Sequence, residues 1–238
     1  MNHVDKKAGF TLIELLFAMA FVSALLIAIV MTVIQISNIY NRGITLKEVD
    51  QAGRSLASEL KRSIAQTFSF EVDPNMIGTR YIQQDWGGRL CAGQYSYVWN
   101  YGKDVAKKNT NRNRYDSVVF PNAPEIQFIK IPDGTGSYCD TDANGGLVKI
   151  PVAVQGTELL DIGDRNLAIH KFYISAVSSD NKTGQTLYGI SFLLGTNNQL
   201  AQDITNDNCL PPSDLNSDLN YCSINDFNIL VRSGNRVQ

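Results

Sequence analysis

Apolar residues crowd the start of the chain and then thin into a periodic stripe. From Phe10 to Ile34 there is no Pro or Gly, and Glu14 is the one charged side chain. At about 1.5 Å per residue, a helix over this tract can cross a bilayer core of about 30 Å. Beyond it, Leu46, Val49, Ala52, Leu56, Leu60, Ile64 and Phe68 recur at steps of three or four. That spacing predicts the buried stripe of an amphipathic helix. Asp50 and Arg54 sit four apart on the polar face, a spacing that lets opposite charges meet. Gly43 and Gly53 weaken this helix without ending it. The two patterns join into one predicted helix from about Phe10 to about Phe68, on the order of 90 Å long. Its stop is expected near Asp73-Pro74, because Pro disfavours helix in the residue before it.

After Pro74 the pattern shortens. Strand-like runs at Cys91–Tyr101, Ser117–Phe120, Glu125–Ile131, Gly146–Val154, Leu167–Val177, Thr186–Leu194 and Ile224–Val231 alternate with turn residues. Asp133-Gly134, Asn144-Gly145-Gly146 and Asp180-Asn181 mark the breaks. Leu167–Val177 and Thr186–Leu194, joined through Asn181-Lys182-Thr183-Gly184, read as a hairpin. The expected class is α+β: a helical stalk, transmembrane in its first half, packed on an antiparallel β-sheet head. The helix is assigned to 10–73, with its membrane half at 10–34, and the β-rich globular head to 74–238.

Composition narrows the chemistry. A net charge of −2 gives the whole molecule no strong field for nucleic acid. Lys103, Lys107, Lys108, Arg112 and Arg114, flanked by Tyr101 and Tyr115, form a basic stretch that reads as a solvated or partner-facing loop. Cys91, Cys139, Cys209 and Cys222 all follow the apolar tract, and an even count in a chain that reads as exported suggests two disulfides. The other reading is buried free thiols. Zinc is not expected, since there is no Cys-x-x-Cys and His3 and His170 lie far from any cysteine in sequence. No nucleophile motif, Walker loop or dinucleotide fingerprint occurs, so an enzyme is not expected; His170, in a strand-like run, reads as a half-buried sheet residue. Asp140-Thr141-Asp142-Ala143-Asn144-Gly145 opens like a calcium loop, but Pro151 stands where the bidentate Glu belongs. Asp140, Asp142 and Asn144 therefore bind calcium only if Asp133, Glu158 or Asp161 folds in, and the default is a solvated turn.

One stretch is specific. Gly9-Phe10-Thr11-Leu12-Ile13-Glu14, opening an apolar helix, resembles the class III signal of type IV prepilins and type II secretion pseudopilins. The resemblance covers about the first tenth of the chain. It implies that residues 1–9, with Lys6 and Lys7, are a cytoplasmic leader. It also implies that a prepilin peptidase cuts between Gly9 and Phe10 and methylates the new Phe10 amine. Glu14 would then pair with a Phe10 amine, its own or a neighbour's, as the assembly salt bridge. Ala18-Met19-Ala20 also has the form of a secretory cleavage site. Glu14 would then lie inside the apolar core of that signal, and the apolar tract would run on past the cut. A plain uncleaved anchor is the third reading.

The family further implies the partners. These are the prepilin peptidase, the major pilin and other minor pilins through the N-terminal helix, the assembly platform with its ATPases, and the lipid bilayer. Nucleic acid is not expected among them, although some minor pilins touch DNA. Location follows: a single pass through the cytoplasmic membrane with the head outside, then a pilus or pseudopilus at the cell surface. Pilins commonly close a C-terminal loop with a disulfide, which pairs Cys209 with Cys222 and leaves Cys91 with Cys139. No cofactor is expected beyond the calcium loop, which some pseudopilins possess. The large head and a tract lacking the midway Pro of many major pilins, Met31 being nearest, resemble minor pilins of the priming or tip complex, the PilW or J-type class. The contrasting reading is a membrane-anchored binding or adhesion module that never enters a fibre.

Overall fold

Helix α1 runs unbroken from Leu12 to Ala65, 54 residues and about 80 Å at the ordinary helical rise. The computed structural model to which it belongs describes residues 11–72, 79–105, 113, 126–160, 163–203 and 205–234. The helix begins two residues later than the periodicity predicts and stops well before Pro74. Its end is made by local and distant contacts together. The Thr67 hydroxyl donates to Ser63 O at 2.8 Å, and the chain then turns out along the head. Phe70 stacks on Tyr188 at 4.5 Å between ring centres, and its backbone N–H and C=O both bond the Tyr188 hydroxyl. The helix thus stops ahead of Asp73-Pro74, which lie outside the described residues, and the chain after it packs on the head.

Two antiparallel sheets make up the head. Strands β1 (Tyr81–Gln84), β2 (Gly87–Ala92), β3 (Tyr95–Asn100), β4 (Phe128–Pro132) and β5 (Thr157–Glu158) neighbour one another in that order. A single helical turn, α2 (Gly102–Val105), follows β3. Strands β6 (Leu167–Asp180) and β7 (Gln185–Thr196) form the expected hairpin, with Gly184 at φ +66 in its turn. Strands β8 (Gln202–Asp203) and β9 (Asn208–Cys209) pair with each other. Strand β10 (Ile224–Arg232) completes a second sheet in the order β10-β7-β6.

The core lies where α1 meets both sheets. Val49, Ala52, Leu56, Leu60 and Ile64 pack in one cluster with Tyr97, Trp99 and Phe128 of the first sheet and Phe172, Tyr188 and Phe192 of the second. Rings run through it in series: Trp99 to Phe172 at 4.4 Å, Phe172 to Phe192 at 6.1 Å, and Phe192 to Phe227 at 5.2 Å. Each large apolar side chain withdrawn from water contributes roughly 1.5–3 kcal/mol. The stripe is narrower than its sequence spacing implied. Leu46 and Phe68 are exposed, while Thr45 takes the buried position and donates its hydroxyl to Asn220 O at 2.8 Å.

Three strand expectations change. The run Cys91–Tyr101 is two strands, because Gly93 turns the chain at φ +66, a backbone that L side chains rarely adopt. Strands β1, β5, β8 and β9 were not anticipated. The run Gly146–Val154 forms no strand. Ile150, Val152 and Val154 instead pack against Val98, Ile129 and Ile131 on the back of the first sheet. Arg89, buried there, holds this layer in place. Its Nε donates to Asn113 Oδ1 at 2.7 Å, and its Nη1 donates to the carbonyls of Tyr138 and Val148 at 2.6 Å each. Burial pushes its pKa down to about 10. The predicted strand Ser117–Phe120 lies outside the described residues.

Candidate functional site

The apolar half of α1 packs against no other element among the described residues. Every residue from Thr11 to Tyr40 is exposed, and the helix is long and apolar enough to cross a bilayer. At its entry, Thr11 is the N-cap. The Thr11 N–H and hydroxyl both donate to Glu14 Oε2 at 3.0 Å, and Glu14 N–H returns a bond to Thr11 Oγ at 3.4 Å. This reciprocal capping box satisfies backbone donors that the first helical turn leaves open. The carboxylate that looked stranded in the apolar tract thus has a partner within its own chain. From the sequence Thr11 is read only as part of the Gly9–Glu14 motif and not as a cap, although a Thr three residues before a Glu at a helix start is a readable signal. Gly9, Phe10, Lys6 and Lys7 lie outside the described residues.

The other half of α1 is pegged to the head by polar contacts. Glu59 accepts from Lys130 Nζ at 2.6 Å and Tyr97 OH at 2.8 Å, and pairs with Arg62. Burial opposes ionisation of Glu59, but the Lys130 and Tyr97 hydrogen bonds outweigh it and hold the carboxyl below its ordinary range. Lys130 also sits 3.7 Å over the Tyr95 ring. Glu48 accepts from the Arg165 N–H at 3.1 Å, and Asp50 accepts from Asn225 Nδ2 at 2.9 Å. On a helix read by itself, these acids belong to a solvated face; only the neighbouring strands and loops give them partners.

Both expected disulfides are present. Cys91–Cys139 ties β2 to the turn ahead of the acidic loop, and Cys209–Cys222 ties β9 to the approach of β10. In the acidic loop, Asp142 Oδ1 accepts from the N–H groups of Asn144 at 2.8 Å and Gly146 at 2.9 Å. Asp140 and Asn144 are exposed. Asp133 does not fold in; it binds the Ser96 hydroxyl and the N–H groups of Gly136, Ser137 and Tyr138. Glu158 is likewise occupied, by the N–H groups of Gln127, Phe128, Leu159 and Leu160. Burial pushes its carboxyl up despite those bonds. Asp161 lies outside the described residues, and no three His, Cys, Asp or Glu side chains converge among those that are described.

His170 is buried in β6, where its Nε2 donates to Thr196 O at 3.2 Å. Of the basic stretch, Lys103 is exposed on α2 and Tyr101 is buried. Lys107, Lys108, Arg112, Arg114 and Tyr115 lie outside the described residues. No family model, curated protein or solved structure matches this chain.

Proposed function

We propose that this chain is a pilin-like subunit, a minor pilin or pseudopilin, built into a type IV pilus or related fibre through its N-terminal helix. The observation that carries the reading is the division of labour along α1. One continuous helix leaves its apolar half without a partner among the described residues and commits its other half to the head. The motif Thr-Leu-Ile-Glu stands at the outer end of the unpartnered half. In a monomer, lipid covers that surface. In a fibre, helices of neighbouring subunits would replace lipid. The capping box keeps Glu14 hydrogen-bonded within the subunit, which lowers the cost of carrying a carboxylate into hydrocarbon. Docking would exchange or extend those bonds toward a Phe10 amine set free by cleavage at Gly9.

The test is Glu14→Leu. Membrane insertion and head folding should persist, because the substitution lies tens of ångströms along the helix from the head. The variant should be depleted from purified fibres while remaining in the membrane fraction. Equal amounts of variant and wild type in fibres would remove Glu14 as the docking element. Mass spectrometry of the mature N-terminus should find methylated Phe10; a start at Met1 or Phe21 counts against the signal. Retention of normally processed wild-type chain in the membrane, with none in fibres, favours the anchored binding module instead.

A further inference from the structure

The two sheets approach each other edge to edge. Between the β1 edge of one and the β6 edge of the other lies an open cleft of about 790 Å³, within the size range of small-ligand sites. Gln83, Gln84 and Asp85 come from the β1 side, Lys171 and Tyr173 from β6, and Asp207 from the loop before β9.

Three observations limit what fits. The first concerns strand addition, which needs free backbone groups along the β6 edge. There the Tyr81 hydroxyl already donates to Phe172 O at 3.3 Å, so an incoming strand finds that carbonyl acceptor taken. The second is charge. Lys103 and Lys171 are balanced by Asp85 and Asp207, and Lys171 Nζ sits 2.9 Å from Asp207 Oδ2. Among the described lining residues these charges cancel, leaving no net field for phosphate or nucleic acid. The third is the set of unused groups. Gln83 is held rigidly, accepting from Tyr81 OH at 2.8 Å and donating to Tyr101 OH at 3.4 Å. Next to it, the side chains of Gln84 and Asp85 make no hydrogen bond to another described residue, and the Tyr173 ring is 51% exposed.

We propose that this cleft binds a neutral oligosaccharide. A planar amide beside a carboxylate offers donors and acceptors to adjacent hydroxyls. An exposed tyrosine ring supplies an apolar face for the C–H side of a sugar and a hydroxyl at its rim. Rigid strands carry all of these groups except Asp85, which follows β1 directly, so little ordering is needed on binding. The inference is independent of entry into a fibre.

The experiment uses the full chain in a non-glycosidic detergent, because a maltoside headgroup would compete. Maltotetraose, cellotetraose, chitotetraose and a β-galactan tetramer are titrated by calorimetry and by saturation-transfer NMR. At least one should bind, and Tyr173→Ala and Asp85→Ala should each weaken it by about tenfold. Leu215→Ala, on a fully exposed residue outside the cleft, should leave binding unchanged. Melting curves of all variants should match wild type. The proposal is overturned if no tetrasaccharide binds, or if binding survives both cleft substitutions. A result in which an extended heptapeptide or duplex DNA, and no saccharide, perturbs Tyr173 overturns it as well.

Discussion

Gly43 and Gly53 stand ten residues apart in the same helix, and alanine should act oppositely at the two. In a helix interior Ala is better than Gly by roughly 1 kcal/mol, wherever the residue sits. At Gly43 a Cβ meets nothing within 4 Å, so Gly43→Ala should keep the full gain. At Gly53 the same Cβ would overlap the Phe227 ring, which stacks on Phe192 at 5.2 Å. Forcing a methyl into such a packed contact costs about 1–3 kcal/mol. Gly53→Ala should therefore be neutral to about 2 kcal/mol destabilising once the helical gain is subtracted. The difference between the variants isolates the steric cost, because the intrinsic preference cancels. Near 2–4 °C per kcal/mol for a domain of this size, the two melting points should separate by roughly 2–12 °C. Thermal unfolding by circular dichroism reads this directly, and hydrogen exchange around Gly43 reports the local gain. A double variant, Gly53→Ala with Phe227→Leu, should recover part of the loss, a coupling expected of residues in contact. If Gly53→Ala raises the melting point as much as Gly43→Ala does, Phe227 is not held against α1, and the packing of β10 on the stalk is wrong.

Other outcomes follow from the same contacts. Removing Cys91–Cys139, which closes a separation of 48 residues, should cost about 4 kcal/mol in the loop-entropy model. Removing Cys209–Cys222, with a separation of 13, should cost about 3 kcal/mol; denaturant melts of the paired Cys→Ala variants rank the two. Glu59 and Asp133 both have carboxyls held below their ordinary range, since burial opposes ionisation but hydrogen bonds outweigh it. Their contribution is present above the unfolded carboxylate values of about 4 and is lost as pH falls through the lower folded values. Stability should therefore drop on acidification below about pH 4, and Glu59→Gln should flatten that slope. A wild-type-like slope in Glu59→Gln would exclude Glu59 as a source.

The sequence alone determined what depends on neighbours along the chain. Helix period, apolar length, the hairpin around Asn181-Lys182-Thr183-Gly184 and an even cysteine count are short-range facts, and the structure has α1, β6–β7, β10 and both bridges. Tertiary structure decided whatever depends on residues far apart in sequence. Past the end of helix α1 at Ala65, Tyr188 captures Phe70, more than a hundred residues away. The run Gly146–Val154 has strand composition but packs as a plug, because β5 is the neighbour of β4. Glu59 on α1 gains Lys130 and Tyr97 as partners only because the first sheet packs on the helix. Gly43 and Gly53 are indistinguishable by propensity; a ring from β10 separates them. Local pattern records which face of an element is apolar, but the partner of that face, and so the energy of each side chain on it, is set only when distant segments close on one core.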